Sequence, residues 1–320
     1  MPLGGNRTQL VATVALIASM VIWSASGIAI KQAMVVLQPL TMIILRFTPS
    51  VFLMFVIGIL CRRSELFRLQ RIDVRDLPLF LIAGFCQPFL YYLLETYSYD
   101  ALNSPTVAEA LLSTNPLFSP LFAAVLLREQ VTKYNIIGIL VSTVGMFMLI
   151  LAGSTDFQIG NYWGVPLAFA AVSAAIVDSV MMRKIPARYT PLSIIFYAQV
   201  ISLLFFYPVW FWREGPSALA AIDWTQLADI SSPLSVAVIS VRYLTIFSSV
   251  IAFILFCYAL RIVGVTQANA FNNIRPAFTA LWMFLFFGEH LPAAKWVGML
   301  LIIIGLFVCQ KKPSVQGKHT

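Results

Sequence analysis

Six ionisable side chains stand inside long apolar stretches of this chain: Arg46, Glu95, Glu109, Asp178, Arg242 and Arg275. A charge at the centre of a bilayer costs about 2.5–3.5 kcal/mol on insertion scales, so each asks for a partner or a wet cavity. Counted from the nearer helix end at 1.5 Å per residue, Glu95, Glu109 and Arg46 lie about 6, 8 and 11 Å deep from one side. Three neighbouring helices can therefore bring them into an ion-paired cluster. In one reading Glu95 and Glu109 are proton-coupling acids or hold a substrate amine, their pKa set by burial and by the arginine. In the other, a fixed Arg46–Glu95 or Arg46–Glu109 bridge only holds the helices together. Tyr92 and Tyr99, at i−3 and i+4 from Glu95, share its face.

A second constellation is the run Thr266, Gln267, Asn269, Asn272, Asn273, Arg275, Pro276, the most polar stretch within an apolar segment. Arg275 falls about 16 Å from the helix end, near the midplane. Asn269, Asn272, Asn273 and Pro276 share one helical face. Earlier in the chain, Ser113, Thr114 and Asn115 precede Pro116 in the same way. Two proline-kinked helices with polar residues before the kink are where a midplane binding site is expected. Arg275 can hold a carboxylate or phosphate there, with Trp23 and tyrosines as apolar walls. Interhelical hydrogen bonding by the asparagines is the competing reading. Asp178, close to Arg183 and Lys184, reads as structural or interfacial, and Arg242 as a residue reaching for headgroups.

These residues need helices to position them, and composition says of what kind. The 320 residues are 60% hydrophobic and 11% charged, with a mean hydropathy of +0.88. That excludes a soluble globular protein. Apolar runs fall at about 10–30, 39–60, 77–99, 104–127, 134–152, 162–182, 190–212, 235–260, 264–287 and 292–310. Of the 21 basic residues, 15 lie on one side of these spans, 3 on the other and 3 within them. The positive-inside rule then puts both termini in the cytoplasm. No cleavage site precedes the first span, so that helix is expected to be its own insertion signal.

Thr106–Ile150 recurs without a gap as Thr266–Gln310, aligning Pro116 with Pro276, Glu129 with Glu289, Gly138 with Gly298 and Gly145 with Gly305. Gln38-Pro39 likewise matches Thr190-Pro191. With five spans per half, the second half enters from the opposite side. The fold class expected is an all-α integral membrane protein, ten transmembrane helices in two inverted five-helix repeats, 10–152 and 162–310. Glu129 and Glu289 are expected to cap the helices that follow them. The glycines seven apart permit close helix approach, within one molecule or in a homodimer. Within 214–232, Leu219, Ile222, Trp224, Leu227 and Ile230 fit either a short interfacial helix or an irregular loop.

Cys61, Cys86, Cys257 and Cys309 are too scattered for a disulfide framework, and His290 and His319 give no metal constellation. No cofactor or metal is expected, no nucleic-acid partner, and no catalytic motif supports the alternative of an intramembrane enzyme. A passive channel lacks its repeated ring of like residues.

Trp23, Lys31, Pro39, Arg46, the Pro116 to Glu129 and Pro276 to Glu289 arrangements and the two glycine pairs resemble the drug/metabolite transporter superfamily in its EamA-type form. The resemblance covers about 10–310. Arg128-Glu129 departs from the usual Gly-Glu turn, which Gly288-Glu289 keeps. The resemblance implies a secondary transporter in a bacterial inner membrane, exporting a small organic metabolite such as an amino acid or drug-like compound by alternating access. Helices 1, 3, 4, 6, 8 and 9 would line its cavity, with proton coupling as an open feature. A facilitative uniporter and a nucleotide-sugar or organic-phosphate antiporter remain alternatives.

Overall fold

The computed structural model describes residues 5–63, 67–102, 111–112, 114–128, 130–151, 162–287 and 292–309, and all regular structure among them is helical. The helices are α1 (Gly5–Ala33), α2 (Pro39–Leu60), α3 (77–102), α4 (Asn115–Leu127) and α5 (Lys133–Leu151). They continue as α6 (Gly164–Lys184), α7 (Pro191–Arg213), α8 (Pro233–Val263), α9 (265–287) and α10 (Ala293–Cys309). Among the described residues α1, α2, α3, α6, α7 and α8 are long and apolar enough to cross a membrane. Large apolar side chains also face outward, Leu140, Val144, Leu300 and Phe307 among them. A lipid environment covers such faces at no hydrophobic cost.

Helix starts follow local rules. Pro39, Pro191 and Pro233 open α2, α7 and α8, where the missing N–H has no partner to lose. Thr190 and Ser232 cap the last two by accepting from the N–H of Ser193 and Ser235. The amino end of α2 is capped from far away: the N–H groups of Leu40 and Thr41 donate to the Glu214 carboxylate at 2.9 and 2.7 Å. Sequence spacing gave no hint of this pairing. Past Glu214 the chain makes one short helix, Gly215–Ala220, and a 3-10 turn, Trp224–Ala228, in place of a single interfacial helix. Ile222 is buried there while Ile230 is exposed, so the proposed apolar face is split. Thr132 caps α5 through the Asn135 N–H. Glu129 and Glu289 lie outside the described residues.

Helices α5 and α10 pack along their glycines within the molecule. A Cβ on Gly138 would land on the backbone of Gly305 and Cys309, and one on Gly145 would come 2.5 Å from the Gly298 carbonyl oxygen. Gly305 is equally closed by Gly138 and Ser142. The contacts are reciprocal: Gly138 meets the repeat counterpart of Gly145, and Gly145 meets the counterpart of Gly138. Antiparallel helices in reciprocal contact are what a two-fold axis across them produces. The glycine faces thus serve packing inside one chain.

Three helices are interrupted where polar residues gather. In α3 the helix breaks at Gln87, whose backbone is extended (φ −147°, ψ 121°), in α8 a wide π turn spans Leu244–Ala252, and in α9 a tight 3-10 turn covers Phe271–Ile274. Such breaks free or redirect backbone and side-chain groups, and they concentrate at functional sites.

Candidate functional site

The π turn in α8 presents two successive serines to α2, and Arg46 takes both. Its Nε donates to Ser249 Oγ at 2.6 Å, and one terminal nitrogen donates to Ser248 Oγ at 2.9 Å and to the Tyr92 hydroxyl at 3.2 Å. The guanidinium also lies 4.8 Å from the Tyr92 ring centroid and 5.0 Å from that of Phe47. Arg46 is only 2% exposed. Among the described residues, hydroxyls and ring faces compensate its burial. Of the two bridges offered for Arg46, the one to Glu109 lies outside the described residues, and the one to Glu95 is not formed: among the described residues the ion pairs are those of Arg188 with Asp73 and Asp76. The reason is local. Arg46 donates to the Tyr92 hydroxyl, and Glu95 accepts from the Tyr91 hydroxyl at 2.8 Å, one turn back on α3.

Sequence reasoning passed over four residues of this centre. Ser248, Ser249 and Tyr91 are three, and Gln199 of α7 is the fourth. Gln199 Nε2 donates to the Ser249 carbonyl at 2.6 Å, while its Oε1 accepts from Ser50 at 2.5 Å. A lone amide and a serine doublet within apolar spans were the available signals. Trp23 joins the same node, its indole N–H donating to the Ser248 carbonyl at 3.2 Å and its ring packing on Phe253 and Phe256.

Arg275 belongs to the neighbourhood too, since the Tyr92 hydroxyl is within electrostatic reach of Arg46, Glu95 and Arg275 together. Tyr91 likewise feels Glu95 and Arg275. Arg46 thus touches Tyr92 and Glu95 touches Tyr91, with Arg275 within electrostatic range of both tyrosines. The remainder of the predicted polar run is divided. Asn273 donates to Ser142 and Thr143 of α5 at 2.7 and 3.2 Å, which ties α9 to the glycine seam. Asn272 donates to Asn269 at 3.5 Å, and Ser179 of α6 donates to the same oxygen at 3.4 Å. Asn115 stands beside Pro116, which opens the described part of α4, and this segment packs against the start of α9.

Several buried polar atoms here have no hydrogen-bond partner: Asn115 Oδ1, Asn269 Nδ2, Asn273 Oδ1 and Ser98 Oγ. Leaving such groups unsatisfied costs about 1–3 kcal/mol each, so they are groups poised for water or a ligand. Asp178 adds another, with Oδ1 unpartnered and the residue 1% exposed. It is therefore a core carboxyl of α6, which of its two expected roles, structural or interfacial, supports the structural one. Arg242 is exposed. Glu109 and Ser113, and the side chains of Tyr99 and Pro276, lie outside the described part. Among the described residues no group of His, Cys, Asp and Glu is arranged to hold a metal ion.

The family profile described as "EamA-like transporter family" matches the chain twice, over 10–151 and 162–309. The chain belongs to the EamA-like transporter family. It is a multi-pass membrane transporter and not an enzyme. An uncharacterized transporter of Archaeoglobus fulgidus is 22% identical over 91% of this chain and 95% of its own length. A protein of Streptantibioticus cattleyicolor named as a probable terminal-alkyne amino-acid exporter is 26% identical over 76% of each chain. A Chlamydia muridarum protein named as an S-adenosylmethionine/S-adenosylhomocysteine transporter is 26% identical over 92% of this chain and 90% of its own. A solved crystal structure shares the fold with a TM-score of 0.73 at 19% identity, covering 95% of this chain and 98% of that one.

Proposed function

We propose that this EamA-family member is a secondary carrier exporting a small metabolite that bears an amino-acid group, by alternating access around the centre between α1, α3, α8 and α9. The observation that carries the reading is the contact of Arg46 with Tyr92 and of Glu95 with the adjacent Tyr91, with Arg275 in electrostatic range and the unsatisfied amides of Asn269 and Asn273 in the turns before it, inside an apolar protein. Arg275 would take the carboxylate in a charge-assisted contact, and Glu95 the amine. The compounds named for the relatives from Streptantibioticus and Chlamydia both carry these two groups.

The architecture of the proposal is ten spans in two inverted five-helix repeats, 10–152 and 162–310, with both termini cytoplasmic. The reciprocal glycine contacts of α5 and α10 support the inversion, and the distribution of Lys and Arg supports the orientation. Glu95 and Glu109 are the acids proposed for proton coupling.

Flux by purified protein in liposomes tests this. A pool of amino acids, S-adenosylmethionine, organic anions and cationic drugs is offered with and without a pH gradient and read by mass spectrometry. Saturable movement of amino-acid compounds is expected, with Arg275→Gln raising KM at least tenfold and Glu95→Gln abolishing the response to the gradient. Movement of cationic drugs alone, or unchanged affinity in Arg275→Gln, would reject the assigned substrate class.

A further inference from the structure

Away from the centre, the connection from α6 to α7 is latched onto the segment after α2. Arg188 is ion-paired with Asp76 and with Asp73, the latter at 3.2 Å, and the Tyr189 hydroxyl donates to Asp76 at 2.8 Å. Arg261, in the last turn of α8, donates to the carbonyls of Tyr189 and Pro186 at 2.6 and 3.1 Å. Beside this latch opens a cavity of about 510 Å³ whose described lining holds four arginines, Arg63, Arg68, Arg188 and Arg261, and no acidic residue. Tyr258 and Ile262 of α8 form an apolar side.

Four arginines lining one space concentrate positive charge there, which a counter-charge in the cavity would offset. Asp73 and Asp76 offset Arg188 and are not part of the cavity lining. Arg261 spends two of its five N–H donors on backbone carbonyls, which fixes the group and leaves donors over. The Arg63 and Arg68 side chains, both exposed, make no ion pair among the described residues. A flock of solvated arginines would satisfy the positive-inside rule without sharing a cavity. Here two are anchored by the latch, and the volume lies in the range of organic-ligand sites. Arginine forks match phosphate oxygens in geometry as well as charge.

We infer that this cavity binds a phosphate-bearing anion, with Arg63, Arg68 and Arg261 on the phosphate and Tyr258 and Ile262 against its apolar or organic part. The same chemistry is offered by an anionic phospholipid headgroup at the membrane surface and by a soluble phosphate ester. With the orientation proposed above, the site faces the cytoplasmic leaflet. The binding itself does not depend on that orientation or on transport.

The test uses the full-length purified protein in micelles, titrated with phosphatidylglycerol or phosphatidylcholine and separately with inorganic pyrophosphate. Native mass spectra and thermal unfolding are read together. Saturable binding of phosphatidylglycerol over phosphatidylcholine identifies a lipid site, and saturable binding of pyrophosphate a soluble-ester site. In either case the double variant Arg63→Gln/Arg68→Gln binds at least tenfold more weakly, and Arg63→Lys/Arg68→Lys falls between. Both positions are exposed, so the fold is expected to survive. Absence of binding by both probes, equal binding of the two lipids, or undiminished binding in the Gln double variant would overturn the inference. Those outcomes leave the transport reading standing, because no flux is measured.

Discussion

The α5–α10 seam and the Arg46 centre use the doubled sequence in opposite ways. At the seam the copies keep the same residues in equivalent places: Gly138 and Gly145 close reciprocally on Gly305 and Gly298. At the centre they have parted. Aligning Pro39 with Pro191 puts Ala198 opposite Arg46 and Gln199 opposite Phe47, yet Arg46 and Gln199 both reach Ser249, one at its hydroxyl and the other at its carbonyl. Symmetry survives where only backbone proximity matters. It is lost where a charge must be placed on one side of a site, which is what an asymmetric ligand requires.

The sharpest way to break the comparison is at the seam. Gly138→Val drives a side chain into the backbone of Gly305 and Cys309. It is expected to cost about 3 kcal/mol or more, the top of the overpacking range, read as loss of the folded monomer on size exclusion and thermal unfolding in micelles. Arg46→Met strips partners from Ser248, Ser249 and Tyr92 but also removes a buried charge. Its stability cost is therefore smaller, about 1–3 kcal/mol, while flux should fall at least tenfold. Gln199→Leu removes the bond to the Ser249 carbonyl and one of the two acceptors of Ser50, which keeps the Phe47 carbonyl, for about 1 kcal/mol, with flux reduced less than by Arg46→Met. Gly27 is the internal control for the seam. A Cβ there meets nothing within 4 Å, so Gly27→Ala should stabilise α1 by about 0.5–1 kcal/mol.

The smallest effect lies outside both regions. The Asp76 carboxyl is held below its ordinary value of 3.8 by the Tyr189 hydroxyl and then by Arg188. A depressed folded-state pKa gives stability that is complete above the unfolded value and is lost as pH falls through the folded one. Unfolding midpoints should accordingly decline below about pH 4, and Asp76→Asn should flatten that acid limb by lowering the midpoint at pH 7 toward its acid-side value.

How much could be read beforehand follows the same division. Gly138, Gly145, Gly298 and Gly305 were legible because repeated sequence and spacing encode helix approach directly, although only coordinates assign them to packing inside one chain. Pro39 and Pro191 were legible as helix starts, since proline's missing donor has one cheap place to be. Arg46 was visible as a buried charge and its partners were not. Depth counting favoured the acids, whereas the π turn that swings Ser248 and Ser249 toward α2 has no local sequence signature. Glu214 escaped for a related reason: its partners at Leu40 and Thr41 lie 174 and 173 residues away. Of the two readings of Asp178, structural and interfacial, the packed α6 face supports the structural one, which the nearby Arg183 and Lys184 could not distinguish.

Counterflow in proteoliposomes tests the central claim of alternating access most directly. Vesicles loaded with the unlabelled compound identified by the flux pool are diluted into a trace of the same compound carrying an isotope label. A carrier that reorients around one site predicts transient accumulation of label above equilibrium, lost in Arg275→Gln at the same concentration. Uptake that follows the label's own gradient regardless of loading would contradict the account and return the protein to the channel reading.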